Sequence, residues 1–324
     1  MASPNLSELV TTTLRNRTGQ LADNVSENNA LLNRLRKRGN VKTFDGGRNI
    51  VQELEYAENG TFGYYSGYET LDISPSDVMT AAEFEIKQAS TAVVISGLEE
   101  IQNSGKSAII NLLGSRIKNA ERTMMNKISE GIYSDGTGDG GKQIGGLQLL
   151  VADDPTSGTV GGIDRATYTF WRNEATVSGT AATTSNIQER MNTLATSVVR
   201  GTDASDLIVA DTAYYNLYLG SLQAIQRITT EDMGGAGFNS LKYFGAGKSA
   251  DVVLDGGKGG AAPTNTMYFL NTDYIHFRPY AGRNFNYEEK DREAINQDAI
   301  VRLNLFAGNM TLSNASLQAV LTES

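Results

Sequence analysis

From Arg48 to Ser96 the chain alternates in strand fashion, interrupted by a glycine- and tyrosine-rich passage. RNIVQELEYAE leads into NGTFGYYSGYET and returns through LDISPSDVMTAAEFEIKQASTAVVIS, where Phe84 and Ile86, then Val93 and Ile95, recur at every second position. The pattern predicts one long hairpin with Phe62, Tyr64, Tyr65 and Tyr68 at its tip. Strands average ~5–6 residues, so a hairpin of this length cannot bury both faces against its own domain. An exposed edge of that kind either aggregates or is meant for a partner chain.

Charge sharpens the contrast. Residues 49–104 carry ten acids (Glu53, Glu55, Glu58, Glu69, Asp72, Asp77, Glu83, Glu85, Glu99, Glu100) against Lys87 alone. Residues 1–48 carry eight bases against four acids, and residues 105–134 five against two, inside a chain of net charge -9. Long runs of one sign are ordinary on a solvated face, so the alternation gains meaning only from the fold that carries it. Cysteine is absent and histidine occurs once, in 324 residues, which removes disulfide frameworks, thiol nucleophiles and zinc sites built from several His or Cys ligands. No apolar run approaches the ~20 residues of a membrane span, and the first residues do not read as a secretory signal; no membrane partner and a cytoplasmic location are expected.

Elsewhere the elements separate cleanly. Residues 1–43 are polar with irregular leucines and read as an arm docked onto something else, with a short helix over 26–38 ending at Gly39. Residues 105–132 form the clearest helix, its stripe being Ile109, Leu113, Ile117, Ala120, Met124 and Ile128, with Lys118 and Arg122 opposite. After the glycines of GIYSDGTGDGGKQIGG the pattern becomes mixed α/β. Ser185 and Gln188 read as a capping box for a helix with Ile187, Met191, Leu194 and Val198 on one face, DLIVAD as a buried strand, Asp211 as the cap of a helix through Tyr214, Leu217, Leu222 and Ile225, and DVVLD and NTMYFL as further strands. The tail, DAIVRLNLF and MTLSNASLQAVL, split at Gly308 and Asn309, reads as a terminal hairpin.

Motifs that resemble chemistry lack their context. GTGDGGKQ, from Gly136 to Gln143, matches the phosphate-binding loop until Gln143 replaces the metal-binding hydroxyl, and it follows a helix instead of opening one. The same region has Asp135, Asp139 and Gly140 at calcium-loop positions, but Gly146 stands where the bidentate glutamate belongs. His276, in TDYIHFRPY, alternates with Tyr274 and Arg278 opposite Ile275 and Phe277, as a strand residue does, and no GxSxG elbow accompanies it. Glu99 and Glu100, Asp153 and Asp154, and Glu288 and Glu289 are adjacent pairs whose side chains diverge. No catalytic, cofactor or metal site is expected.

The order of basic arm, acidic hairpin, amphipathic helix, α/β domain and returning strands, with the passages SDGTGDGGKQIGGLQLLVADDPTSGTVGGIDRATYTFWRN and FNYEEKDREAINQDAIVRLNLFAGN, resembles the major capsid proteins of tailed bacteriophages, the Hong Kong 97-like fold. The resemblance covers nearly the whole chain. It implies an α+β fold with residues 1–45 as the N-terminal arm, 46–98 as the E-loop and adjoining P-domain strand, 99–149 as the spine helix and P-domain, 150–290 mostly as the A-domain and 291–324 as P-domain terminal strands. It also implies a non-catalytic shell protein in the virion capsid, assembled in the host cytoplasm from hexamers and pentamers around double-stranded DNA contacted without sequence specificity.

On that resemblance Arg34, Arg36, Lys37, Arg38, Lys118 and Arg122 face the genome, with the arm bases pairing to a neighbour's acids as the alternative. Phe62, Tyr64, Tyr65, Tyr68, Glu53, Glu55, Glu58 and Glu69 meet a neighbouring subunit. Some relatives weld subunits through an E-loop lysine, but no lysine lies between Lys42 and Lys87, which implies non-covalent cohesion. The absence of a long helical leader implies a separate scaffolding protein, or a removed leader, beside the portal and any decoration proteins. The rivals are an encapsulin-like compartment of the same fold and a nucleotide-binding enzyme using Gly136 to Lys142.

Overall fold

A computed structural model describes residues 29–102, 112–222, 240–245, 248–256, 260–287, 292–293 and 298–323. Helix α1 (Ala30–Arg38) is capped by Asn29, whose side chain accepts from Leu32 N at 3.0 Å, and ends as expected at Gly39, left-handed at φ 73°. Ala30, Leu31 and Leu35 are fully buried. Burying each leucine is worth ~1.5–3 kcal/mol, so α1 belongs to this subunit's own core. The backbone that follows lies parallel against strand β11 (Ile275–Tyr287). Asn40 O accepts from Phe277 N at 3.0 Å, Lys42 N donates to Phe277 O at 3.1 Å, and Phe44 both donates to Pro279 O and accepts from Ala281 N. Pro279 has no N–H and supplies only its carbonyl to this ladder.

Strands β1 (Asn49–Glu55) and β2 (Met79–Glu85) pair antiparallel from Asn49↔Glu85 to Glu55↔Met79. One face of this ribbon, Ile50, Leu54, Ala82 and Phe84, is buried. It rests on the small hairpin of β4 (Thr159–Val160) and β5 (Ile163–Asp164), whose Gly161 has φ +59°, accepts from Glu83 N at 2.9 Å, and approaches so closely that a Cβ there would meet Ala82 at 2.8 Å. The other face carries the acids. Strand β3 (Lys87–Ser96) continues the return but leaves the ribbon for another sheet, so the expected hairpin over 48–98 stands free only through Glu85.

Helix α2 (Gly97–Gln102) and the long α3 (Leu112–Ile132) follow. Ala120, Met124 and Ile128 of the expected stripe are buried, with Ile132 continuing it; Ile109 and the side chain of Leu113 lie outside the described residues. Next come β4 (Thr159–Val160), β5 (Ile163–Asp164), β6 (Glu174–Ser178), α4 (Ile187–Ser197), β7 (Leu207–Ala210), α5 (Thr212–Ser221), β8 (Ser240–Phe244), β9 (Ser249–Leu254), β10 (Thr266–Leu270), β11 (Ile275–Tyr287), β12 (Arg292–Glu293), β13 (Ala299–Leu312) and β14 (Ala319–Glu323).

A six-stranded sheet has the order β6-β14-β10-β7-β9-β8. Its alternation divides two cores. Ile208, Ala210, Val252, Met267, Phe269 and Leu321 face α4 and α5, while Leu207, Val209, Val253, Tyr268, Leu270 and Val320 face α1 and the end of α3. Ile187, Met191, Leu194 and Val198 are buried as expected, and Asp211 caps α5 by accepting from Tyr214 N at 2.9 Å. Helix α5 ends at Ser221; Ile225 lies outside the described residues. The capping box does not form: α4 starts one residue too late, Asn186 accepts from Thr183 N instead, and Gln188 reaches Ser221.

The four-stranded sheet is built on β13, paired with β3 along one side and with β11 and β12 along the other. The expected terminal hairpin is therefore absent. β13 runs unbroken through Gly308 and Asn309, whose side chain accepts from Gly145 N and donates to Glu85 O, and β14 joins the six-stranded sheet beside β6. A division at residue 290 cuts across both sheets, since β11 precedes it and β14 follows it; alternation reveals a strand but not its partner.

Candidate assembly surfaces

Beyond the buried ribbon base, residues 56–78 project into solvent. Phe62 is 76% and Tyr64 95% exposed, Tyr65 and Tyr68 are likewise exposed, and so are Leu71, Ile73 and Met79. Only local contacts organise the tip: Phe62 and Tyr64 meet edge to face at 5.4 Å, and Glu69 accepts from Ser66 N at 2.9 Å. Glu53, Glu55, Glu58 and Glu69 all face water. Monomeric surfaces rarely keep so much contiguous apolar area.

The arm bases divide. Arg36 and Lys37 are exposed. Arg34 and Arg38 instead converge on Asp206, which is 1% exposed. Arg34 donates to it from Nε and Nη2 at 3.1 and 3.0 Å and Arg38 from Nη2 at 3.0 Å, while Thr272 donates its backbone N–H at 2.7 Å and its hydroxyl at 2.8 Å. Arg34 also lies 3.5 Å from Asp251, which pairs with Lys242 at 3.1 Å, and Arg38 pairs with Asp273. The arm thus pairs with acids of its own chain, an arrangement outside both sequence expectations. Its trace in the sequence is that SDLIVAD and ADVVLD are apolar strands each bounded by aspartates, and the parallel register of β7 and β9 sets Leu207 against Asp251.

On α3, Lys118 is exposed and Arg122 half-buried. Arg116 forks onto Glu99, Nη1 to Oε2 at 2.9 Å and Nη2 to Oε1 at 2.7 Å, and also donates to Val94 O, fixing the helix to the β3 end. This guanidinium holds the Glu99 carboxyl below the ordinary glutamate range.

The glycine loop after α3 makes one irregular turn over Gly138–Gly141, with Asp139 left-handed and Lys142 exposed. No strand feeds it and no helix of useful length follows, so its amides do not form a phosphate cradle. Among the described residues no cluster of three or more His, Asp or Glu is placed to hold a metal, and no helix is long and apolar enough to cross a membrane.

His276 lies 8% exposed under the arm strand, its Nδ1 without a hydrogen-bond partner. Burial, then Arg278, then Lys42 push its pKa down to about 4. The folded state therefore holds the neutral ring while the unfolded chain takes a proton near the ordinary 6.5, so stability rises with pH between about 4 and 6.5. We expect a loss of ~2 kcal/mol between pH 7 and pH 5 from this residue. Urea unfolding at both pH values checks it: the His276→Gln variant should show a correspondingly smaller pH dependence, and an unchanged dependence would refute the contribution.

No family model and no curated protein matches the sequence. Solved structures do. The capsid asymmetric unit of cyanophage A-1(L) superposes with a TM-score of 0.68 at 16% identity, covering 94% of each chain. The fold is that of the Hong Kong 97-like capsid proteins. The capsid of a native GTA particle has a TM-score of 0.57 at 10% identity over 94% of each chain. The holo-SrpI encapsulin complex of Synechococcus elongatus has 0.55 at 10% identity, over 95% of this chain and 94% of that one.

Proposed function

We propose that this chain is the major capsid protein of a tailed phage, a structural, non-catalytic subunit that assembles into an icosahedral shell around double-stranded DNA. The observation that carries this is the E-loop: a ribbon buried at its base and apolar, acidic and solvated at its tip, on a capsid fold. Such a surface is completed by another copy, with its aromatics burying area and its acids fixing register. Subunits form hexamers and pentamers, held non-covalently, with a portal and a scaffolding protein as further partners. The encapsulin-like compartment shares the fold and differs in what it encloses. Electron microscopy of purified particles, with an assay for nuclease-protected DNA, tests the assignment: closed shells retaining DNA are expected, and closed shells protecting none would favour the compartment.

Within this proposal the exposed bases Arg36, Lys37 and Lys118, with Arg122 beside them, face the genome as a modest positive lining on an acidic protein. Replacing Arg36, Lys37 and Lys118 by serine should leave closed shells but lower the fraction that retains DNA, with the largest deficit at low salt and convergence on the parent at high salt. Unchanged retention at every salt concentration would exclude the lining.

A further inference from the structure

Between the six-stranded sheet and the loop that follows α3 lies a cavity of about 380 Å³, within the ~300–1,000 Å³ range of small-molecule sites. Its floor is a block of two cross-strand pairs on β10 and β14, Thr266↔Thr322 and Tyr268↔Val320, which period-2 alternation turns to one face. Buried Val151 adds apolar surface from beyond the glycine loop. Two exposed carboxylates, Asp135 and Asp153, stand on the rim, and neither forms an ion pair among the described residues. Asp135 accepts from the Thr137 amide at 2.9 Å and hydroxyl at 2.8 Å, which hold its carboxyl below the ordinary aspartate range and keep it charged. The floor supplies an independent observation. A buried tyrosine ordinarily finds a partner for its O–H. Tyr268 is 2% exposed and lines the cavity, yet its hydroxyl makes no hydrogen bond among the described residues. Burial and then the Asp153 carboxylate raise its pKa, so it stands as a neutral phenol beneath the acidic rim.

We propose that this cavity binds an aliphatic diamine or polyamine, its ammonium groups held by Asp135, Asp153 and the Tyr268 oxygen and its methylenes covering Val151 and Val320. The chemistry of the lining selects that class. Thr266 donates its hydroxyl proton to Thr264 O at 3.1 Å and Thr322 donates to Asn265 O at 3.2 Å, so both hydroxyls have only acceptor capacity left for a ligand. With two carboxylates and a phenol oxygen beside them, the cavity is rich in acceptors and fits a cation that carries several N–H donors. A metal ion fits poorly. Among the described residues no three of His, Asp and Glu converge to hold one, and no hydrated ion covers the buried apolar surface of Val151 and Val320. The site stands on this subunit's own residues and does not depend on the shell assignment.

Isothermal titration of full-length, nucleic-acid-free subunits with 1,4-diaminobutane provides the test. Two variants probe the site, Asp135→Asn with Asp153→Asn, and Tyr268→Phe. Asparagine keeps the Oδ1 atoms that accept from Thr137 N and Asp154 N, and phenylalanine keeps the buried ring, so both should melt as the parent does; if Tyr268→Phe does not fold, the exposed asparagine pair decides alone. The expected result is one saturable site per subunit, weakened at least about tenfold by either variant, as the loss of a charge-assisted hydrogen bond implies. Glu53→Gln with Glu55→Gln, on the distant ribbon, should leave the affinity unchanged. An equal loss there would reveal diffuse attraction to a chain of net charge -9 and overturn the site. Magnesium chloride binding more tightly than the diamine would make the cavity a metal site. Nα-acetyl-lysine amide, a monocation, binding as tightly as the diamine would make it a socket for a lysine of a second copy. Either result overturns the proposal, as does the absence of saturable binding at millimolar diamine.

Discussion

Deletion of residues 58–70 is expected to leave a folded subunit that cannot close a shell. All of the ribbon's buried side chains, Ile50, Leu54, Ala82 and Phe84, lie outside the deleted segment. Its upper end is also held outside that segment: Tyr56 N donates to Val78 O at 3.0 Å, and the Tyr56 ring lies 5.3 Å from Phe170. The deletion removes exposed residues whose contacts are local, so thermal unfolding of the monomer should move by no more than the ~0.5 kcal/mol typical of surface changes. Assembly should fail almost completely, because Phe62, Tyr64, Tyr65 and Tyr68 leave together and aromatics dominate the cores of protein interfaces. Size-exclusion chromatography and micrographs of the product decide the matter. An unfolded monomer would place the tip in the subunit's own core, and normal shells would deny it any part in assembly.

Local signals in the sequence were legible where one element carries its own evidence. The α3 stripe, the Gly39 stop, the Asp211 cap and the buried strand at Leu207 each depend on residues within a turn or two of one another, and each appears in the fold. The capping box at Ser185 failed because a helix can begin one residue late and exchange one hydrogen-bond donor for another. Pairing was less legible. Val93 and Ile95 alternate as Phe84 does, yet β3 leaves the ribbon for β13, and β14 passes β13 by to lie beside β6. Period-2 alternation is satisfied by any partner with the matching face, so the choice belongs to long-range packing. For the surfaces, the exposed aromatic tip followed directly from composition, whereas the partition of the arm bases did not. Arg34, Arg36, Lys37 and Arg38 are one basic run in sequence, but at 100° per residue a helix sends Arg34 and Arg38 to one side and Arg36 and Lys37 elsewhere.

That partition makes Arg34→Ala a strongly destabilising change, although the residue stands in what looks like a solvated basic cluster. The substitution leaves Asp206 buried with two of its charged donors gone, and withdraws one of the cations beside Asp251. Breaking a buried pair from one side costs ~3–5 kcal/mol, because the remaining charge keeps its desolvation penalty; the retained Arg38 and Thr272 bonds to Asp206 place the expectation at the lower end, about 3 kcal/mol. Arg36→Ala, two residues away and exposed, should fall within ~0.5 kcal/mol. A double-mutant cycle of Arg34→Ala with Asp206→Ala, read by denaturant midpoints, should give a coupling of ~1–3 kcal/mol; a coupling near zero would mean that the clamp does not hold α1 to the sheet. The same geometry governs tests of DNA contact. Neutralising all four arm bases removes the clamp together with any lining, so a loss of shells from that variant reports folding of the subunit, and only Arg36 and Lys37 can be changed to question the genome-facing role.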